Sequence, residues 1–150
     1  MPITELAGNL LSSNCDIIAH GCNCFNNMGG GIAYQIQALF PEAQKVDFFT
    51  TKIGDRNKMG TFTKATQGDK TIYNLYTQYK YGHDKVYVEY DKLKESMIAL
   101  KNDLIKQNLY ESSKIGFPRI GCGLARGDWG IVKEIIEKVF DDKEVFVYVL

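Results

Sequence analysis

Two glycine-rich stretches, each set between a short β-branched run and a helix-like run, constrain the fold of this 150-residue chain more than any other feature. The first lies in "HGCNCFNNMGGGIAYQI" (His20 to Ile36) and follows "DIIAH" (Asp16 to His20). The second, "RIGCGLARGDWG" (Arg119 to Gly130), follows "KIGFP" (Lys114 to Pro118). Both put glycine where a buried strand hands over to a helix. After the first, Ile32, Ile36, Leu39 and Phe40 fall at helical spacing. Pro41 ends that run, because proline lacks an N–H and its ring clashes with the preceding turn. A second short helix is expected over Ala43 to Lys52. "GTFTKAT" and "KTIYNLYT" read as a strand pair around Gly68-Asp69. Tyr90 to Asn108 reads as a long amphipathic helix with an apolar stripe of Leu93, Met97, Leu100 and Leu104. After the second glycine stretch, Asp128 reads as the N-cap of a helix over Trp129 to Phe140. "EVFVYVL" then closes the chain as a strand. Alternating strands and helices predict an α/β layered domain with a largely parallel, buried sheet. In such sheets ligands bind beyond the carboxyl ends of the strands, where both glycine stretches fall.

The length suits one domain with a substantial core. Eighteen basic residues balance eighteen acidic ones, so no overall positive field draws in nucleic acid, and any anion site must be local. No apolar run approaches the ~18 residues of a membrane span. The opening "MPITELAGNLL" lacks the basic head and apolar core of a signal peptide. The reading is a soluble cytoplasmic protein whose Cys15, Cys22, Cys24 and Cys122 are reduced thiols.

Three chemistries compete for the first stretch. A zinc site wants about four Cys, His, Asp or Glu ligands at suitable spacing, whereas Cys22 and Cys24 stand too close for a knuckle and the only histidines are His20 and His83. Cys22 or Cys24 near a helix N-terminus could act as a lowered-pKa nucleophile, although a free cysteine commonly serves as a small buried residue. Consecutive glycines can instead converge their N–H groups on a phosphate, helped by the positive end of the following helix. A second loop at Gly121 to Gly123 would close over the same phosphates, unless the glycines serve only tight turns. No GxxxxGK[ST] and no strict GxGxxG with a following acidic residue is present, which argues against the usual triphosphate and dinucleotide sites. His20 is either a satisfied core histidine or a group that orients water or protonates a leaving oxygen. The tyrosines from Tyr73 to Tyr90 read mainly as half-buried strand and loop residues. Lysine and arginine in "TKIGDRNK" read as a solvated loop.

"NLL…DIIAHGCNCFNNMGGGIAYQIQALFPEA" together with "FPRIGCGLARGDWG…VYVL" resembles the macrodomain family, small modules that bind ADP-ribose. The resemblance implies a three-layer α/β/α fold with a mixed, largely parallel central sheet over residues 1–150. The "H-x-C-N-C…GGGIAYQ" block resembles the ADP-ribose 1″-phosphate phosphatase branch. The "P-R-I-G-C-G-L" block is similar to the branch that removes ADP-ribose from carboxylate side chains or nucleic-acid bases. Carried over by position, the resemblance implies His20 and Asn23 as catalytic residues, with Asn23 holding the distal ribose. It implies a ligand-binding set of Asn9, Leu10, Gly21, Asn23, Met28, Gly29, Gly30, Gly31, Ile32, Pro118, Gly121, Cys122, Gly123, Leu124 and Tyr148, with no metal and no cofactor. Asn9 stands where many members have an aspartate that accepts the adenine amino proton; asparagine would accept through its carbonyl, without the charge.

Gln78 and Ala125 stand where the hydrolase branch is expected to carry a lysine and an aspartate, so a Schiff base has no donor at Gln78. The resemblance therefore implies a phosphatase converting ADP-ribose 1″-phosphate to ADP-ribose, working as a monomer away from membranes. The alternatives are a hydrolase acting on ADP-ribosylated protein or nucleic acid, a non-catalytic ADP-ribose reader, and an unrelated α/β nucleotide binder.

Overall fold

The computed structural model describes residues 3–82, 84–123 and 125–150. Six strands form one sheet: β1 (Ile3–Ala7), β2 (Ile17–Cys22), β3 (Phe62–Gln67), β4 (Lys70–Tyr76), β5 (Ile115–Phe117) and β6 (Val145–Val149). Their order is β1-β6-β5-β2-β4-β3. All neighbouring pairs are parallel except the β3–β4 hairpin, which closes through Gly68-Asp69. The helices are α1 (Gly31–Leu39), α2 (Pro41–Thr50), α3 (Tyr90–Lys106) and α4 (Trp129–Val139).

Side-chain alternation along the strands divides the interior into two cores, one on each face of the sheet. Ile17, Ala19, Tyr73, Leu75, Val145 and Val147 pack with the stripes of α3 and α4, including Leu93, Leu100, Val132 and Ile136. Ile18 and Ile72 pack the other way, with Ile36 of α1, Ala43 of α2, Leu10 and Leu11. Because both faces are buried, the parallel strands are apolar on both sides. The result is the expected three-layer α/β/α arrangement.

The structure corrects several boundaries. The strand expected over Asp16 to His20 runs on to Cys22, because its backbone keeps finding partners on β4; the register extends to Cys22↔Tyr76. His20 is therefore inside the strand and not at its end. Pro41 does not merely stop α1; it is the first residue of α2, where its missing N–H costs nothing and its fixed φ suits a helix start. The second helix accordingly begins before Ala43. β1 has no counterpart in the sequence reading. It is a half-exposed edge strand with no buried residue, so no alternation marks it. Asp128 does cap α4, accepting from Gly130 N and Ile131 N.

Leu100 is wholly enclosed between α3 and the sheet. Leu100→Ala is expected to lower unfolding free energy by about 2–5 kcal/mol through lost burial and the cavity left behind, read from a urea melt.

Candidate functional site

A cleft of about 680 Å³ opens over the carboxyl ends of β1, β6, β5, β2 and β4. Its walls are the two glycine stretches. Counted across these five strands at the usual strand spacing, it spans roughly 19 Å. Of the expected ligand set, Asn9, Leu10, Gly21, Asn23, Gly29, Gly30, Gly31, Ile32, Pro118, Gly121, Cys122, Gly123 and Tyr148 all line it. Gln78 and Ala125 line it too. Leu124 lies outside the described residues. Met28 is the exception: it turns inward and packs in the core with Leu10, Leu11 and Ile36, so it supports the loop from below.

The first wall is held by its asparagines. Asn23 Nδ2 donates to Asn27 O at 2.8 Å, and its Oδ1 accepts from Phe25 N at 2.9 Å. Asn27 Oδ1 in turn accepts from Gly29 N at 2.8 Å. The wall ends at α1, whose N-cap Gly30 offers no side-chain cap. The first N–H groups of a helix have no partner within it, so they form a donor cluster facing the cleft at the positive end of the dipole.

The second wall is a compact coil of main-chain bonds: Cys122 N to Arg119 O, Arg126 N to Gly123 O and Gly127 N to Gly121 O. Gly121 has φ +77, and a Cβ there would meet Val88 Cγ2 at 2.8 Å. At Gly127 a Cβ would stand 2.6 Å from Gly121 O, so the two turns touch through backbone alone. Gly123 differs, because a Cβ there would meet nothing within 4 Å. Its missing side chain leaves open cleft in front of the backbone.

His20 does not reach the cleft. It is fully buried, and its Nε2 lies 2.6 Å from Asn74 Oδ1. Asn74 Nδ2 donates to Ala43 O and Thr63 Oγ1, which makes Oδ1 the acceptor and places the imidazole proton on Nε2. Burial, only partly offset by the Asn74 bond, pulls the His20 pKa down to about 4. The role of water-orienting group or acid expected of it is therefore not available: it is a neutral, satisfied core histidine. Cys22 Sγ lies 3.6 Å from Nε2 and 3.8 Å from Nδ1 of His20. A sulfur almost equidistant from both nitrogens is off the in-plane lone pair of Nδ1, so the two do not form a proton-transfer pair. Burial also raises the Cys22 thiol well above its ordinary range, and raises Cys24 and Cys122 to about 11. The thiols are protonated near neutral pH, which leaves the nucleophile reading without a thiolate. Among the described residues no group of three or more His, Cys, Asp and Glu could hold a metal ion.

Lys58 overturns the solvated-loop reading of "TKIGDRNK". It is buried, and its Nζ donates to Cys24 O at 3.1 Å and to Asn26 Oδ1 at 2.6 Å. The lysine thus ties down the loop that follows Asn23. Nothing in the sequence separates it from its exposed neighbours. Asn74 was equally silent, since it sits in an apolar strand and only the register reveals its partner.

No protein-family model matches the chain. Curated relatives do. A 17.5 kDa protein of the tk–vs intergenic region of Enterobacteria phage T4 is 35% identical over 138 residues, covering 87% of this chain and 83% of that one. The human ADP-ribose glycohydrolase OARD1 is 30% identical, covering 99% of this chain and 91% of its own. The ADP-ribose 1″-phosphate phosphatase of Debaryomyces hansenii is 29% identical, covering 92% and 90%. The chain belongs to the macrodomain family.

Solved macrodomains share its fold. That of Mycobacterium tuberculosis DarG superposes with a TM-score of 0.79 at 21% identity, covering 99% of this chain and 97% of its own. Thermosipho africanus DarTG, solved in complex with ADP-ribose, gives 0.78 at 16% identity, covering 99% of this chain and 42% of that one. Among the described residues, no helix of this macrodomain is long and apolar enough to cross a membrane.

The neutral state of His20 links this macrodomain's stability to acid. With the folded pKa near 4 and the unfolded value near 6.5, the folded state disfavours the proton. The stabilisation is complete above pH 6.5 and is lost as pH falls toward 4. The urea midpoint of the wild type is expected to drop more between pH 7 and pH 4.5 than that of His20→Asn.

Proposed function

We propose that the cleft binds ADP-ribose and releases phosphate from ADP-ribose 1″-phosphate. One observation carries this reading: two glycine-rich walls face each other across a cleft whose described lining contains no Asp, Glu, Lys or His side chain. Hydrolysis of a glycosidic bond ordinarily calls for a pair of carboxylates. A Schiff-base route calls for an amine. Gln78 and Ala125 supply neither, and Gln78 Nε2 is turned onto Lys80 O at 2.9 Å.

Phosphate transfer asks less of side chains, because positioning and charge stabilisation do most of the work. The diphosphate lies between the α1 N-terminus and the Gly121–Gly123 turn. Asn23 uses one N–H and one lone pair within its loop and keeps the others for the distal ribose. Water attacks the terminal phosphorus, the bond from phosphorus to the anomeric oxygen breaks, and that oxygen leaves with a proton from the water. The products are ADP-ribose and inorganic phosphate. His20 acts only as packing beneath Cys22. The names of the yeast phosphatase and human glycohydrolase relatives support an ADP-ribose-type ligand.

Incubation with ADP-ribose 1″-phosphate is expected to release phosphate, and parallel incubation with ADP-ribosylated protein and DNA to release no free ADP-ribose. The reverse pattern would overturn the phosphatase reading in favour of the hydrolase; binding of ADP-ribose without either product would favour a reader. Gly123→Val is expected to leave the melting temperature unchanged, since its Cβ has room. The same change is expected to weaken ADP-ribose binding at least about tenfold, because the side chain fills the space the diphosphate needs.

A further inference from the structure

The proposed function leaves one buried charge unused. Lys58 is only 6% exposed. Among the described residues it forms no ion pair. Asp47, whose charge reaches it, accepts instead from Tyr76 Oη at 2.6 Å. Burying an ammonium is costly, and an apolar side chain of similar volume fills the same space without that cost. The cation therefore has a role beyond packing.

The partners of Lys58 point to that role. In the loop after β2, Asn23 and Asn27 line the cleft, while Cys24 and Asn26 bond to the lysine. Lys58 Nζ donates at 3.1 Å to Cys24 O, which also accepts from Gly54 N at 2.7 Å. It donates at 2.6 Å to Asn26 Oδ1, which also accepts from Thr51 Oγ1 at 3.1 Å. Asn26 has φ +55, a left-handed conformation that asparagine adopts more readily than most residues. The ammonium thus grips the chain where it reverses. Asn23 braces the same reversal through Phe25 N and Asn27 O. One loop is held by an amide that lines the cleft and by a cation that does not.

We infer that Lys58 is a positioning residue for the distal ribose: through Cys24 O and Asn26 it fixes the loop from which Asn23 meets that sugar. The inference rests on the reading that the cleft binds ADP-ribose with Asn23 at the distal ribose. It requires no contact between Lys58 and the ligand. A loop already held by fixed bonds spares the ligand the cost of ordering it. Loss of the grip is felt at the distal ribose and much less at the diphosphate. The cradle for the diphosphate has its own anchors, the fully buried Ile36 of α1 and the main-chain bonds of the second wall.

The test is calorimetric titration of wild type, Lys58→Met and Asn26→Gly with ADP-ribose and with ADP, which lacks the distal ribose. The ratio of the two dissociation constants, ADP over ADP-ribose, is expected to fall at least about threefold in Lys58→Met, the worth of one hydrogen bond. ADP carries more charge than ADP-ribose, so loss of a cation acting through charge alone moves the ratio the other way. Asn26→Gly keeps the lysine and suits the positive φ, but removes the acceptor; its ratio is expected to fall too. Should Lys58→Met not fold, Asn26→Gly decides. A ratio that stays unchanged, or equal loss of affinity for both ligands, makes the lysine merely structural and overturns the inference alone. Failure of the wild type to bind ADP-ribose overturns the proposed function and this inference with it.

Discussion

The hydrogen bonding of β2 to parallel neighbours on both sides is the constraint from which the rest of the structure follows. With β4 on one edge and β5 on the other, β2 cannot slip without exposing buried residues on both faces of the sheet. Its carboxyl end fixes where the first glycine stretch departs, and β5 fixes the departure of the second. The two walls meet because their parent strands are adjacent. Parallel pairing thus converts two distant glycine stretches into one cleft, at the place where open α/β sheets bind ligands.

Charge and polarity divide across the same plane. Below the strand ends lies a hydrogen-bonded polar group: His20, Asn74, Thr63, and Tyr76 with its 2.6 Å bond to the buried Asp47. Burial raises the Asp47 carboxyl above its ordinary range and depresses His20, so both are driven toward their neutral forms. Above the strand ends the cleft is lined by glycine backbone together with amide side chains such as Asn23, Asn27, Gln35 and Gln78. Lys58 links the two regions, donating to a backbone carbonyl and an amide oxygen of the loop that follows Asn23. An internal cation is costly to desolvate, and here it is met by oxygen acceptors on the segment it restrains.

Much of this was legible in the residues. The helical stripes of α3 and α4 and the turn at Gly68-Asp69 are local signals, and they appear in place. The glycine stretches could be assigned to one site because their position after strands is a topological signal as well as a compositional one. What stayed hidden depends on partners far along the chain. β1 is too exposed to alternate and is defined only by pairing with β6. His20 looks like a strand-end residue until pairing with β4 extends β2 past it. Met28 reads as part of the glycine wall, yet its side chain turns into the core. Lys58 and Asn74 carry no pattern that distinguishes a buried polar residue from a solvated one.

The Gly121–Gly127 coil, in which turn packs on turn through backbone atoms, has an evolutionary consequence. A binding surface made of main chain is insensitive to most substitutions around it, provided the few glycines that let the turns touch remain. Side chains at the rim, such as Gln78 and Ala125, can then be exchanged without rebuilding the cradle. The backbone shape of the cleft and the side-chain chemistry of its rim become separately mutable traits.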